Sequence, residues 1–225
     1  MTGLRGGVVP RVKICCISSE HEAALAVACG AAALGLVSEM PSGPGVVDDA
    51  RIERIIATVP PPIATFLLTS ATVAPLIAAQ QRRLRPTTLQ LVDHLPSAVH
   101  RTLRAELPGI ALVQVIHVED ESSVRYALQA AESADALLLD SGRLNQPVRE
   151  LGGTGRTHDW SLSRRIRDLA RRPVFLAGGL NAGNVVEAIR TVRPFGLDVC
   201  TGVRTDGALD PVKLRAFMAQ VAAAD

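Results

Sequence analysis

Two adjacent cysteines close the first apolar run of the chain. The stretch VKICCISS, residues 12–19, places Cys15 and Cys16 directly after Lys13 and Ile14. A thiol can act as a base when nearby positive charge or backbone dipoles favour its thiolate. Alternate residues of a strand face the same side, so we expect Lys13 to face the way Cys15 does and Cys16 to face the other way. Cys15 is therefore either a general base supported by Lys13 or, like Cys16, a small core residue.

A carboxylate closes a later apolar run, ALLLD, at Asp140. An aspartate at the end of a strand is often only a helix cap. It can serve as a general acid at neutral pH if partial burial in an apolar mouth raises its pKa. Both interpretations stand on the residues alone.

Three glycine-bearing turns in the second half of the chain could hold an anion. They are LGGTGRTHDW at 151–160, LAGGLNAGN at 176–184 and CTGV at 200–203. Glycine lets backbone N–H groups approach a phosphate closely, and the loops after the late strands of an α/β barrel often do so. A single turn of this kind would be unremarkable, but three at strand ends predict a phosphate site. The candidate residues are Gly153, Thr154, Gly155, Gly178, Gly179, Thr201 and Gly202.

The elements that must position these residues alternate between short apolar runs and longer segments of helical periodicity. The runs predicted as strands are 12–17, 32–37, 63–68, 88–92, 110–117, 136–140, 174–177 and 196–201. Helices are predicted to begin near Ser19, Asp48, Ser70, Pro96, Asp120, Ser161, Asn181 and Asp210. Repeated βα units of this number favour an α/β fold made of a single (β/α)8 TIM barrel. We expect one barrel domain at 11–225 after a flexible tail at 1–10.

Composition narrows the class of partner. The 225 residues are 48% hydrophobic, and 24 basic and 22 acidic residues give a net charge of +2 without a long run of one sign. That pattern favours a small molecule over nucleic acid or a membrane surface. The four cysteines show no metal-ligand spacing, so we expect reduced thiols, no metal, no cofactor and a cytoplasmic protein. The oligomeric state stays open.

The motifs resemble one known family in order and spacing. KICC at 13–16, LLLDS at 137–141, GGTGRTHDW at 152–160, LAGGLNAGNVVEAI at 176–189 and RPFGLDVCTGV at 193–203 are similar to phosphoribosylanthranilate isomerase, over about residues 12–217. The resemblance implies a barrel enzyme of tryptophan biosynthesis that needs no cofactor. Such an enzyme converts N-(5-phosphoribosyl)anthranilate to 1-(2-carboxyphenylamino)-1-deoxyribulose 5-phosphate by an Amadori rearrangement. It also implies Cys15 as general base and Asp140 as general acid.

The chain departs from that family pattern at four places. Cys16 stands where the family has glycine, and Gly45 where its arginine pairs with the anthranilate carboxylate. The QLHG motif reads Gln90-Leu91-Val92-Asp93, which removes a histidine. Arg204 replaces an acidic residue and becomes, with Arg51 and Arg143, a candidate to bind the substrate carboxylate.

The departures leave two alternatives beside the isomerase. A paralogue could rearrange a different phosphorylated aminosugar, because the changes lie around the carboxylate side. A catalytically silent barrel could retain only phosphate binding.

Overall fold

The protein is a closed barrel of eight parallel strands surrounded by helices, as a computed structural model that describes residues 9–41, 43–142 and 157–224. The strands, each paired with the next and the last with the first, are β1 (Arg11–Ile14), β2 (Ala33–Val37), β3 (Ala64–Thr69), β4 (Thr88–Leu91), β5 (Ala111–His117), β6 (Ala136–Asp140), β7 (Val174–Leu176) and β8 (Gly196–Val199). The helices are α1 (Glu20–Ala28), α2 (Asp49–Thr58), α3 (Ala74–Leu84), α4 (Ser97–Glu106), α5 (Glu121–Ala131), α6 (Trp160–Leu169), α7 (Val185–Val192) and α8 (Pro211–Ala222). The predicted single (β/α)8 TIM barrel is confirmed.

A small hairpin follows the last barrel strand. A 3₁₀ turn at Thr201–Val203 leads into β9 (Arg204–Thr205), which pairs antiparallel with β10 (Ala208–Leu209). The hairpin carries the chain from the mouth of the barrel down to α8, and it brings Arg204 against the end of β1.

Side-chain caps explain where several helices begin. Ser19 accepts a hydrogen bond from the N–H of Glu22 at the start of α1, and Asp48 accepts one from Arg51 at the start of α2. Asp210 accepts bonds from the first turn of α8. Short polar side chains at these positions satisfy N–H groups that have no partner within the helix.

Two of the predicted helix starts, Ser70 and Asn181, precede the first residues of α3 and α7 by four positions. The cap before α3 is Val73 rather than Ser70, whose hydroxyl donates instead to Glu39 O. Asp159 caps α6 through the N–H of Ser161, and α7 follows Asn184. Each region offers several capping residues in succession, and the sequence alone does not choose among them.

The core has two layers. One lies between the outer face of the strands and the helices and includes Ile14, Leu34, Leu67, Leu89 and Ile116. The other fills the barrel interior and includes Ala33, Phe66, Val113, Leu138 and Phe175, with Cys15 and Cys16 at its upper end. Alternation along each strand divides the side chains between the layers, so the groups at the carboxyl ends of the strands stand on a packed apolar base.

None of the helices in the described part of the chain combines the length and the apolar character that crossing a bilayer requires.

Candidate active site

A buried ion pair lies beneath the thiol of Cys15. Lys13 is fully buried, and its Nζ donates to Asp198 Oδ1 at 2.8 Å. The two residues pair in register between β1 and β8, so both point into the barrel. Burial alone would lower the pKa of Lys13, but the charges of Asp198 and Cys15 raise it overall. Lys13 is therefore a permanent cation inside the barrel.

A glycine on β2 makes room for the cation and the thiol. A Cβ atom at Gly35 would lie 2.9 Å from both Cys15 Sγ and Lys13 Nζ, closer than van der Waals contact allows. Gly35 therefore lets the two groups approach the same wall of the barrel.

Cys15 has the electrostatic character of a base. A hydrogen bond from the Cys16 thiol is the largest influence and lowers the pKa of Cys15. Burial opposes that shift, and the charge of Lys13 adds to it, with the net result that the pKa lies below the usual value for a thiol. The predicted supporting role of Lys13 agrees with this geometry, because the cation favours the thiolate.

Asp140 has the opposite character. It closes β6, and burial raises its pKa above the ordinary value for an aspartate, although the N–H of Ser141 donates to Oδ1 at 2.7 Å. The charges of Asp198 and Lys13 also act on it, in opposite directions. Cys15 and Asp140 therefore share one electrostatic environment, in which the thiol loses its proton more readily and the carboxyl less readily than in water.

Strand alternation predicted that Cys16 points away from the barrel interior, and this prediction was wrong. Its backbone has φ of 63°, in the left-handed region that favours glycine, and this turn brings the side chain to the barrel mouth. Cys200 Sγ donates to Cys16 Sγ at 2.7 Å. The pKa of Cys16 is raised well above its usual value. The largest cause is the hydrogen bond with the Cys15 thiol, followed by the hydrogen bond with the Cys200 thiol and by burial. Cys200 therefore lies at the same mouth.

Gly45 adjoins Cys16. It has φ of 78°, and a Cβ atom there would lie 2.4 Å from Cys16 Cβ. A side chain at residue 45 therefore cannot be added without moving Cys16.

Arg204 is engaged inside the protein. Its guanidinium forms an ion pair with Glu22 at 2.9 Å and donates to the carbonyl oxygens of Cys15 at 3.1 Å and Cys16 at 2.6 Å. The side chain is 6% exposed. This placement does not support Arg204 as a ligand for a substrate carboxylate. Its hydrogen bonds instead hold the backbone of Cys15 and Cys16 in position. Arg143 lies outside the described residues, and Arg51, the remaining candidate, is exposed on α2.

The predicted phosphate positions fall partly within the described residues. Gly178 and Gly179 follow β7 with φ of 81° and 63°, and Gly202 follows β8, where a Cβ atom would lie 1.9 Å from Leu180 O. Gly202 thus permits the backbones after β7 and β8 to touch beside Thr201. Gly153, Thr154 and Gly155 lie outside the described residues, so their part in this site stays a prediction.

Comparison with known proteins identifies the family and agrees with the fold. The family model for N-(5'-phosphoribosyl)anthranilate (PRA) isomerase matches residues 12–220. The chain belongs to the PRA isomerase family. The N-(5'-phosphoribosyl)anthranilate isomerase of Methanocella arvoryzae is 34% identical over 94% of this chain and 97% of that protein. That of Haloferax volcanii is 36% identical over 93% of this chain and 91% of its own length.

Solved structures of PRA isomerases have the same barrel. The phosphoribosyl anthranilate isomerase of Thermotoga maritima superposes with a TM-score of 0.81 at 30% identity, covering 95% of this chain and 99% of that chain. A PRA isomerase in complex with reduced 1-(o-carboxyphenylamino)-1-deoxyribulose 5-phosphate superposes with a TM-score of 0.78 at 28% identity over 95% and 99% of the two chains.

Sequence reasoning missed several residues of this PRA isomerase mouth. Asp198 could have been found, because strand alternation in β8 places it on the face opposite Leu197 and Val199 and one strand from Lys13. Gly35 and Glu22 carried no comparable signal, since their roles depend on what packs against them. In the described ranges, no group of three or more His, Cys, Asp or Glu side chains is arranged to hold a metal ion.

Proposed function

We propose that this chain catalyses the PRA isomerase reaction, the Amadori rearrangement of N-(5-phosphoribosyl)anthranilate to 1-(2-carboxyphenylamino)-1-deoxyribulose 5-phosphate. The observation that carries the proposal is the placement of Cys15 and Asp140 at the carboxyl ends of β1 and β6 of a PRA isomerase barrel, where their surroundings shift the two pKa values in opposite directions. The pKa of Cys15 is lowered, chiefly by the Cys16 thiol, and the pKa of Asp140 is raised by burial. These are the directions that a base and an acid need in order to work together near neutral pH.

The reaction can be written with these two groups alone. Asp140 protonates the ribose ring oxygen, the ring C–O bond breaks, and the nitrogen lone pair forms an iminium at C1. The Cys15 thiolate then removes the proton from C2, the electrons of that C–H bond form the C1–C2 double bond of an enol, and the electrons of the C1–N double bond return to nitrogen. Movement of a proton from the enol hydroxyl to C1 gives the ketose. Asp140 has lost one proton and Cys15 has gained one, so exchange with solvent restores the starting state.

Lys13 and Asp198 prepare the base. Lys13 stays protonated at working pH and places a positive charge beside the thiolate. Its pKa is raised by Asp198 and Cys15 against the effect of burial. Asp198 keeps that cation in place through the 2.8 Å bond. We assign the phosphate of the substrate to the glycine turns after β7 and β8, with Gly178, Gly179, Thr201 and Gly202, and to Gly153, Thr154 and Gly155.

The assay follows the fluorescence of phosphoribosylanthranilate with purified protein. We expect turnover by the natural chain and a loss of about 10²–10⁴-fold in kcat for both Cys15→Ala and Asp140→Asn, because each removes one proton-transfer group. Cys29→Ala is the matched control, since Cys29 ends α1 and is a free cysteine away from the strand ends. No consumption of the substrate by the natural chain would contradict the proposal, as would full activity in either variant.

One observation favours a second substrate. Gly45 and Cys16 leave no space for a side chain at the position of the family's carboxylate-binding arginine. The absence of that arginine would not weaken the binding of a phosphoribosyl amine that lacks the carboxylate. Comparing kcat/KM for N-(5-phosphoribosyl)anthranilate and for the corresponding aniline derivative separates the two: similar values favour the second substrate class, and a preference of tenfold or more for anthranilate, about 1.4 kcal/mol, favours the first.

A further inference from the structure

Two thiols that transfer no proton in the proposed acid–base reaction lie next to each other at the barrel mouth. Cys16 and Cys200 have their Sγ atoms 2.7 Å apart, and they follow neighbouring strands that remain paired through the bond from Cys15 N–H to Val199 O at 2.9 Å. A disulfide needs about 2.05 Å between sulfurs, so only a small movement separates the present contact from a bond. We propose that Cys16 and Cys200 are a reversible oxidation site, a dithiol that a small-molecule disulfide converts to a cystine beside the catalytic thiol.

The surroundings favour this pair over other pairings. Cys15 and Cys16 are adjacent in sequence, and such neighbours rarely bridge each other. Cys29 ends α1, on the outer side of the barrel wall. Cys16 is held in place by Arg204, which donates to its carbonyl oxygen at 2.6 Å, while its thiol lies 3.6 Å from Pro44 O. The second thiol, Cys200, is half-buried and is the more accessible of the two.

The oxidation can be written as two thiol–disulfide exchanges with oxidised glutathione. The thiolate of Cys200 attacks one glutathione sulfur, forms a mixed disulfide and releases one glutathione thiol. Cys16 then loses its proton and attacks the sulfur of Cys200, which forms the cystine and releases the second glutathione thiol. Each step forms one S–S bond and breaks one; the two cysteines give up two electrons and two protons, and the glutathione disulfide takes up both.

Oxidation of the pair alters Cys15. In the reduced protein the Cys16 thiol donates the hydrogen bond that lowers the pKa of Cys15. A disulfide sulfur has no proton to donate, so the thiolate of Cys15 loses that support and its pKa rises. This consequence for turnover rests on the proposed function, whereas formation of the cystine does not.

The experiment equilibrates the full chain with oxidised glutathione, blocks free thiols with N-ethylmaleimide and measures intact and peptide masses. We expect the four free cysteines to fall to two, a loss of about 2 Da before blocking, and a linked peptide that joins Cys16 to Cys200. Cys200→Ser and Cys16→Gly should form no such link, and Cys29→Ser should form it like the natural chain. Dithiothreitol should restore all the thiols. Retention of four thiols, a stable glutathione adduct at Cys200 or a cystine that includes Cys29 would overturn the proposal.

A second readout follows Cys15 itself. Alkylation of Cys15 by iodoacetamide near neutral pH should slow severalfold in the oxidised chain and in the oxidised Cys29→Ser variant, but not in Cys200→Ser, which keeps a hydroxyl in place of the thiol. An unchanged alkylation rate after the cystine has formed would show that the site does not act on Cys15. Isomerase turnover is measured in parallel: a cystine in a chain with no turnover in its reduced form would contradict the proposed function and leave the oxidation site standing.

Discussion

Two buried ion pairs flank the end of β1, one inside the barrel and one outside it. The inner pair joins Lys13 to Asp198 at 2.8 Å, with side chains 0% and 8% exposed. The outer pair joins Arg204 to Glu22 at 2.9 Å, with side chains 6% and 9% exposed. Their geometry and burial are nearly the same, but their neighbours differ.

The inner pair acts on a side chain and the outer pair on the backbone. Lys13 stands beside the Cys15 thiol and lowers its pKa. Arg204 instead donates to the carbonyl oxygens of Cys15 and Cys16, and Glu22 also accepts from the N–H groups of Ser18 and Leu209. Buried charges are costly unless they are paired and hydrogen-bonded, and each of these pairs meets that need. The two pairs act on different properties of Cys15. After the Cys16 thiol, the inner pair contributes to the ionisation of Cys15 through the charge of Lys13, and the outer pair fixes the position of the Cys15 backbone.

The largest expected effect comes from breaking the inner pair. Lys13→Met leaves Asp198 charged and without its partner in the barrel interior, which should lower the free energy of unfolding by about 3–5 kcal/mol. The same variant should move the pH midpoint of Cys15 alkylation upward, because the cation no longer favours the thiolate. Urea unfolding and alkylation rates measure the two effects.

The double variant Lys13→Met/Asp198→Leu is the control for the inner pair. It removes both charges, so we expect it to recover much of the lost stability, since replacing a whole buried pair by apolar groups is often neutral. The alkylation midpoint should lie between those of Lys13→Met and the natural chain, because Lys13 lowers the pKa of Cys15 and Asp198 raises it. A midpoint of the single variant Lys13→Met equal to that of the natural chain would show that Lys13 has no influence on Cys15.

The comparison also shows what the sequence can predict. Alternation in β1 predicts that Lys13 and Cys15 share a face, and repeated βα units predict the barrel, whereas the roles of Cys15 and Asp140 were implied by the resemblance to the family. The outer site could not be predicted, because the direction of Arg204 depends on the β9–β10 hairpin and on the placement of Glu22 in the first turn of α1. Cys16 was misplaced for a related reason: alternation holds for extended backbone, and a φ of 63° just beyond β1 breaks it.

Breaking the outer pair should have a smaller effect on stability and a distinct pH dependence. Burial raises the pKa of Glu22, but the hydrogen bonds from Arg204 and from two backbone N–H groups lower it by a larger amount. The pKa of Glu22 in the folded protein therefore lies below the ordinary 4.5. A carboxyl with a depressed folded pKa stabilises the protein above its unfolded pKa and loses that contribution as the pH falls through the folded value. Glu22→Gln should therefore cost about 1.5–3 kcal/mol at neutral pH, the usual range for hydrogen bonds to charged groups, and the difference from the natural chain should shrink below about pH 4.5.

Glu20→Gln on the same helix is the matched control for the outer pair. Glu20 pairs with Arg54 at 3.3 Å, with side chains 43% and 57% exposed, and such surface pairs contribute about 0–1 kcal/mol. Unfolding in urea from pH 3 to pH 8 compares the two variants. Equal costs for Glu20→Gln and Glu22→Gln would mean that the outer pair stabilises the fold no more than a surface pair does.

The smallest expected effect tests whether the two family departures beside Cys15 are one coupled change. Gly45→Ala places a Cβ atom 2.4 Å from Cys16 Cβ at φ of 78°, so its cost combines a clash with backbone strain. In a Cys16→Gly background the clash with the side chain disappears, while the backbone strain and the 3.0 Å approach to the Cα atom of residue 16 remain. This predicts a coupling of about 0.5–3 kcal/mol in a double-mutant cycle. Gly109→Ala is the control: its φ is 87°, but nothing lies within 4 Å of its Cβ, so its cost should be the same in both backgrounds. If Gly45→Ala costs the same with and without Cys16, the side chain of Cys16 does not exclude one at residue 45, and the missing arginine needs another explanation than the thiol next to Cys15.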